Sequence, residues 1–288
     1  MSLVTLKEIL SESVEKKYAV GAFDTMEHVI TEAVLGAAEE KNKPIILMIP
    51  DFIFKKPHFE RFTRFLVDRC EISPVPVTLH LDHGSSFEAV MTSIRYGCTS
   101  VMLDGSMLPM EENIALTKKV CEVAHACGIS AEGEIGHVAG HEGNMLDGNV
   151  ADEKAYTKVE DAVRFVEETG VDALAIAIGT VHGVYKGTPK LDFERLKEIR
   201  KAVDVPLVLH GGSGLPAEDF RKSIDGGINK INFFTGMSLG SANAVIKLVE
   251  ERSKKLTIGD ILDTSLETAK QIVSEHIDIF GTQTLTLQ

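Results

Sequence analysis

The four cysteines of this sequence, Cys70, Cys98, Cys121 and Cys127, include no Cys-x-x-Cys pair. Scattered thiols in a chain of 288 residues argue against a disulfide framework and for a reducing cytoplasm. No apolar run reaches membrane-spanning length. The N-terminal stretch 6–12, Leu-Lys-Glu-Ile-Leu-Ser-Glu, is amphipathic rather than signal-like. Basic runs are missing too. The formal charge is -13, which argues against nucleic-acid binding because no segment would neutralise a phosphate backbone. Phosphorylated small molecules are not excluded, since backbone N–H groups and a metal can hold them. What remains is an ordinary globular composition, 44% hydrophobic and 25% charged, expected in the cytoplasm with neither a membrane nor a nucleic-acid partner.

Short apolar runs predict strands at 19–23, 44–49, 77–81, 100–103, 129–135, from 172, from 207, and at 230–232. Helical periodicity fills the intervals at 27–41, 58–70, 87–96, 110–127, 158–169, 191–202 and 217–225, and helices close the chain. Gly128 and Gly170 stand where helices must stop. A glycine-rich loop runs over 136–149. Regular alternation without a linker predicts an α/β protein, a single (β/α)8 TIM barrel occupying residues 1–288 as one domain. A doubly wound open sheet has the same local signals. The barrel is favoured by the strand count and by the chemistry at so many strand exits, since a barrel brings every C-terminal strand end to one face. Ala173, Ala175 and Ala177 alternate with Leu174, Ile176 and Ile178, a small face against a bulky one.

Three of these strands deliver a histidine followed by glycine as the chain leaves the sheet: His83-Gly84, His182-Gly183 and His210-Gly211. Convergence of the three imidazoles on one divalent metal, with a coordination position left for substrate, is the simplest reason for that pattern. Asp104, Glu132 and Glu134 are candidates to orient those rings. For Glu132 a salt bridge inside the barrel and a catalytic role both stay open. Asp82, beside His83, is the candidate acid/base. Adjacent residues of a strict strand face opposite ways, so Asp82 and His83 share a site only if the chain leaves the pleat, with Gly84 the residue that permits it. His80 reads as a buried partner of the site, and His137, His141 and Glu142 lie in the 136–149 loop. Gly211-Gly212-Ser213-Gly214 and Asn232-Phe233-Phe234-Thr235 follow the seventh and eighth strands, where barrels often cradle phosphate.

Leu79-His80-Leu81-Asp82-His83-Gly84, Glu132-Gly133-Glu134-Ile135-Gly136, Gly179-Thr180-Val181-His182-Gly183-Val184-Tyr185 and Leu209-His210-Gly211-Gly212-Ser213-Gly214 resemble the motifs of the class II, metal-dependent fructose/tagatose-bisphosphate aldolases, in the same order and over nearly the whole chain. The resemblance implies a carbon–carbon lyase of carbohydrate metabolism (glycolysis in many relatives). It implies a TIM barrel holding catalytic Zn2+ through His83, His182 and His210. Asp104 and Glu134 fall on carboxylates that hold the metal in an alternative position, and a monovalent cation is a further candidate. Asp82 falls on the proton donor to the aldehyde oxygen and Glu142 on a loop glutamate of proton transfer. Gly183, Gly211, Gly212, Ser213, Asn232, Phe233, Phe234 and Thr235 fall on the residues that hold dihydroxyacetone phosphate. A homo-oligomer, dimer or tetramer, is implied as well.

The chain departs from that pattern at Asp24, usually asparagine, at Phe234 and Gly236, usually polar, and at Gly143, usually acidic. An Asp-Pro-Arg segment that grips a second phosphate is replaced by Thr257-Ile258-Gly259, and lysine does not substitute readily for a bidentate arginine. Two expectations follow: cleavage of a ketose bisphosphate such as fructose or tagatose 1,6-bisphosphate, or use of dihydroxyacetone phosphate with an unphosphorylated or small aldehyde. More remote are a metal-dependent sugar-phosphate hydrolase or epimerase and a non-catalytic sugar-phosphate binder.

Overall fold

Eight parallel strands close into a barrel in chain order: β1 (Val20–Asp24), β2 (Ile45–Pro50), β3 (Val77–Gly84), β4 (Ser100–Leu103), β5 (Ser130–Ile135), β6 (Ala173–Ile176), β7 (Leu207–Leu209) and β8 (Ile228–Asn232), with β8 returning to β1. The protein is described here by a computed structural model covering residues 2–140, 151–187, 189–252 and 255–285. The expected TIM barrel is the fold found.

Helices over His28–Lys41, Phe59–Glu71, Phe87–Arg95, Met110–Ala126, Val159–Thr169, Phe193–Ala202 and Ala217–Gly226 fill the intervals between strands. Their ends follow local chemistry. Glu27 accepts the N–H groups of Val29 and Ile30, and Ser86 accepts that of Ala89. Gly128 and Gly170 take left-handed φ of 71° and 73° where their helices stop. Four short pieces carry no expectation from sequence: Leu6–Ile9, Ser13–Lys16 and the 3-10 turns Asp51–Lys55 and Glu153–Ala155. Each is about one turn long, too short for a periodic signal.

Alternation along the strands separates two cores. Val20, Ala22, Ile46, Met48, Ala173, Ala175 and Val208 meet Leu6, Ile9 and Leu10 in one buried cluster, while Phe23, Leu47, Leu79, Leu174, Ile176 and Leu209 belong to the larger cluster that also takes in the helices. The interior of an eight-stranded barrel has room for little more than side chains, which is why its inward positions are small or slender. The register carries that inward layer from strand to strand: Met48 pairs with His80, Pro50 with Asp82, Met102 with Glu132, Val208 with Lys230 and Ala22 with Asn232. Inward positions are therefore apolar at one end of the barrel and charged toward the C-terminal ends of the strands. The closing helices Thr235–Arg252 and Ile258–Ile279 complete the outer layer, with Phe280, Phe220 and Phe233 packed around His276. Among the described residues no helix is long and apolar enough to cross a membrane.

Candidate active site

A bulge at the end of β3 assembles the site. Between paired positions, β3 advances from Leu81 to Gly84 while β4 advances only from Val101 to Leu103. The extra residue breaks the pleat, so Asp82 and His83 both line the cavity at the C-terminal mouth. The sequence points to Gly84 as the unusual backbone. The left-handed residue is His83 itself, with φ 43°, an uncommon conformation for any residue but glycine. Gly84 is needed for a different reason: a Cβ there would lie 2.6 Å from the carbonyl oxygen of Met102.

His182 and His210 reach the same point from β6 and β7. The His182 N–H donates to the Ala139 carbonyl at 2.8 Å, beside the isolated bridge between Ala139 and Val181. Ring centroids lie 4.9 Å apart for His83 and His182, 4.7 Å for His83 and His210, and 5.8 Å for His182 and His210. One nitrogen from each ring lies within 4.8 Å of the other two, and His83, Asp104 and Glu134 make a second such group.

Carboxylates decide how the rings are turned. Glu132 Oε1 lies 2.9 Å from His210 Nε2, which leaves Nδ1 facing the cluster, 3.3 Å from Glu134 Oε2. Asp104 Oδ2 lies 2.9 Å from His83 Nδ1, and Asp104 is held in turn by the N–H and hydroxyl of Ser106. A carboxylate behind an imidazole fixes its tautomer and raises its basicity as a ligand. The fit to a divalent ion is therefore one of chemistry as well as distance: three nitrogen donors meet, and buried carboxylates around them require compensating positive charge.

The electrostatics carry the same message. Burial opposes a charge on His210, yet Glu134 and Glu132 outweigh it and raise the ring to about 9. Burial also opposes ionisation of Glu132 and Asp104. Lys230 and His210 hold Glu132 well below the usual carboxylate range, and His83 and Ser106 do so for Asp104. The two directions have opposite consequences in the metal-free protein. The carboxylates stabilise it above their ordinary range, and that contribution is lost as pH falls below about 4.5; the contribution of His210 is full below about 6.5 and is lost as pH rises through about 9. Urea-unfolding midpoints of chelator-treated protein should fall on both flanks, and a midpoint unchanged between pH 7 and pH 9.5 would contradict the His210 assignment.

A family model described as fructose-bisphosphate aldolase class-II matches residues 4–284. The chain belongs to this family. Fructose-bisphosphate aldolase of Staphylococcus aureus is 41% identical over 286 residues, 98% of each chain, and a probable fructose-bisphosphate aldolase of Bacillus subtilis is 40% identical over 285 residues, again 98% of each. The crystal structure of the YdjI aldolase of Escherichia coli K12 superposes with a TM-score of 0.85 at 34% identity, covering 97% of this chain and 98% of that one. The family's members are lyases, which agrees with the enzyme class expected from the motifs.

Within this aldolase framework the remaining residues can be placed. Asp82 is fully buried, and the Asn232 amide donates to its Oδ1 at 3.0 Å. The Asn232 amide thus holds Asp82 in place. Gly183 and Gly211 adopt left-handed φ of 80° and 68°, and a Cβ on Gly211 would lie 2.4 Å from the Val181 carbonyl oxygen. Ser213 Oγ accepts the Gly236 N–H at 2.9 Å, and Thr235 opens the helix Thr235–Arg252. The Gly212 N–H is spent on the Asn232 carbonyl.

The Phe233 N–H donates to the Ala22 carbonyl and its ring centroid lies 3.8 Å from that of His276. The Phe234 side chain lies against Asp24, Met26 and Met237 in a separate apolar groove. Glu142 and His141 lie outside the described residues, whereas His137 lines the cavity.

Two residues escaped the sequence reading. Lys230 is fully buried inside the barrel and donates to Glu132 Oε2 at 2.8 Å. The Tyr185 hydroxyl donates to the Gly211 carbonyl at 2.7 Å and ties the β6 loop to the β7 loop. A lysine between Asn229 and Ile231 looks like an ordinary polar strand position, so nothing local marks the first. The Tyr185 position is visible as an aromatic in a strand-exit motif, without any hint of its partner.

Proposed function

We propose that this chain catalyses the reversible, divalent-metal-dependent aldol cleavage of a ketose phosphate to dihydroxyacetone phosphate and an aldehyde, with zinc the ion. The observation that carries the reading is the meeting of His83, His182 and His210 at one point, beside a cavity that His83 and His182 line together with Asp82. Three imidazole nitrogens with a position left over suit a catalytic zinc site. When bound, the ion supplies Lewis acidity to the ketone and hydroxyl oxygens of the substrate and so eases removal of a carbon-bound proton.

The protein's own residues do the rest. His83, His182 and His210 hold the ion, with Glu132 and Asp104 turning two of the rings toward it and Glu134 available as a carboxylate ligand in a second position. Asp82, aimed by Asn232, exchanges a proton with the aldehyde oxygen, and Glu142 moves the proton on carbon. Phosphate is held by N–H groups of the Gly183 and Gly211 turns, by Ser213 and by the start of the helix at Thr235, sites that offer donors without full charges. Exposed Ile246, Val249, Ile258 and Leu262 on the closing helices support the expected homo-oligomer, and buried free thiols at Cys70, Cys98 and Cys121 support a reducing cytoplasmic setting.

Chelation should abolish cleavage by about three orders of magnitude, since Lewis-acid stabilisation is worth several kcal/mol. One equivalent of zinc per chain should restore it, and His182→Ala should abolish both binding and activity. Full turnover in chelator-treated protein shown by elemental analysis to be metal-free would sink the reading.

A further inference from the structure

The three histidines differ in what holds their backbone. His83 lies within β3, which stays paired with β4 as far as Gly84 and Leu103. His182 and His210 lie beyond their strands. β6 ends at Ile176 and β7 at Leu209, and the register pairs between them stop at Ala175 and Val208. Two of the three ligands therefore stand on adjacent loops that no sheet ladder joins among the described residues. On the β5 side His182 has its N–H bond to the Ala139 carbonyl. Something else must fix it against His210.

Tyr185 supplies that link. Its hydroxyl accepts the Val181 N–H at 3.3 Å and donates to the Gly211 carbonyl at 2.7 Å. Val181 immediately precedes His182, and Gly211 immediately follows His210. One oxygen thus laces together the chain beside both ligands. The loops meet there backbone to backbone, which only a glycine at position 211 allows. The Tyr185 ring lies over the same turn, where a Cβ on Gly214 would come 3.3 Å from its Cδ2. A ring with two side-chain torsions, packed in this way, keeps its hydroxyl in one place at little entropic cost. Burial raises the phenol above its ordinary value, which preserves the proton that bonds to Gly211.

Resting on the metal reading above, we propose that Tyr185 is a positioning residue for the ion: its hydroxyl sets the spacing of the His182 and His210 backbones, so that their rings, with centroids 5.8 Å apart, serve a single site. It acts through the two loops and not as a ligand. Sites of this kind tolerate misplacement of only about 0.5 Å, so a link between loops outside the sheet bears directly on affinity.

The test is Tyr185→Phe, which keeps the ring over Gly214 and removes only the bridging oxygen. Thr282→Val is the control. Its buried hydroxyl likewise donates to a carbonyl, that of Ala19 at 2.7 Å, but at the opposite end of the barrel. Zinc is titrated into metal-free samples against a chromophoric chelator, with folding checked by circular dichroism. The dissociation constant should rise about 10- to 100-fold in Tyr185→Phe and stay within about twofold in Thr282→Val. A zinc affinity of Tyr185→Phe within about twofold of the unmodified protein overturns the proposal. An equal loss in Thr282→Val overturns it too, because the effect would then be general loosening. If the unmodified protein takes up no zinc, the metal site and this role fall together. If it binds zinc tightly yet forms no carbon–carbon product from dihydroxyacetone phosphate and a panel of aldehydes, the aldolase reading fails alone.

Discussion

Replacing Asp82 by asparagine is expected to lower aldol cleavage by about 10² to 10⁴, the range for losing a positioned acid or base. Metal content and fold should stay as they are. Asp82 is fully buried and its Oδ1 takes the Asn232 amide at 3.0 Å, and asparagine preserves both the volume and an acceptor for that amide. The diagnostic readout is a split between half-reactions. Exchange of the hydroxymethyl proton of dihydroxyacetone phosphate with solvent does not involve the aldehyde, so it should survive in Asp82→Asn. Asn232→Ala should show a weaker form of the same split, because it removes the group that aims the carboxylate. If exchange and cleavage fall in parallel, Asp82 acts on the metal or the fold and its assignment as donor to the aldehyde oxygen is wrong.

The second large effect concerns stability. Lys230→Met should destabilise the protein by about 3–5 kcal/mol, because it leaves Glu132 charged, buried and short of its cation. That is a large share of the total of about 5–15 kcal/mol typical of a domain. Lys230 and Glu132 are both fully buried and 2.8 Å apart, and the other Glu132 oxygen holds His210. The double variant Lys230→Met/Glu132→Gln should recover most of the loss, since glutamine needs no counter-charge and can still accept from His210. Zinc affinity should weaken about 10- to 100-fold in Lys230→Met, as expected when the group behind a ligand is disturbed. Urea-unfolding midpoints and zinc titrations check the two effects separately. Additive rather than compensating single-variant losses would show that the two side chains do not act as a pair.

Both effects show where reading the chain residue by residue stops. Asp82 and His83 are legible as chemistry: a carboxylate and an imidazole at a strand exit, followed by glycine. Their arrangement is not, because a strand pattern puts neighbours on opposite faces and the bulge against β4 depends on a partner strand. Gly84 reads as the residue that lets the chain leave the pleat, yet the left-handed backbone sits on His83. Phe233 follows β8 where loops cradle phosphate, yet its N–H and ring are committed elsewhere. Lys230 is the plainest case, since its role rests on Glu132, 98 positions away.

By itself the sequence determined the parts: eight apolar strands alternating with helices, three histidines each handed off before a glycine, and four motifs whose order marks the aldolase family. These are local patterns, set by periodicity, turn chemistry and ligand type, and they survive without any knowledge of what lies beside them. Only the tertiary structure decided which nitrogen His210 presents, which carboxylates stand behind His83 and His210, and that a buried lysine anchors one of them. Those properties belong to pairs of residues from different strands. Burial and distance set their energies, and closing the barrel fixes both.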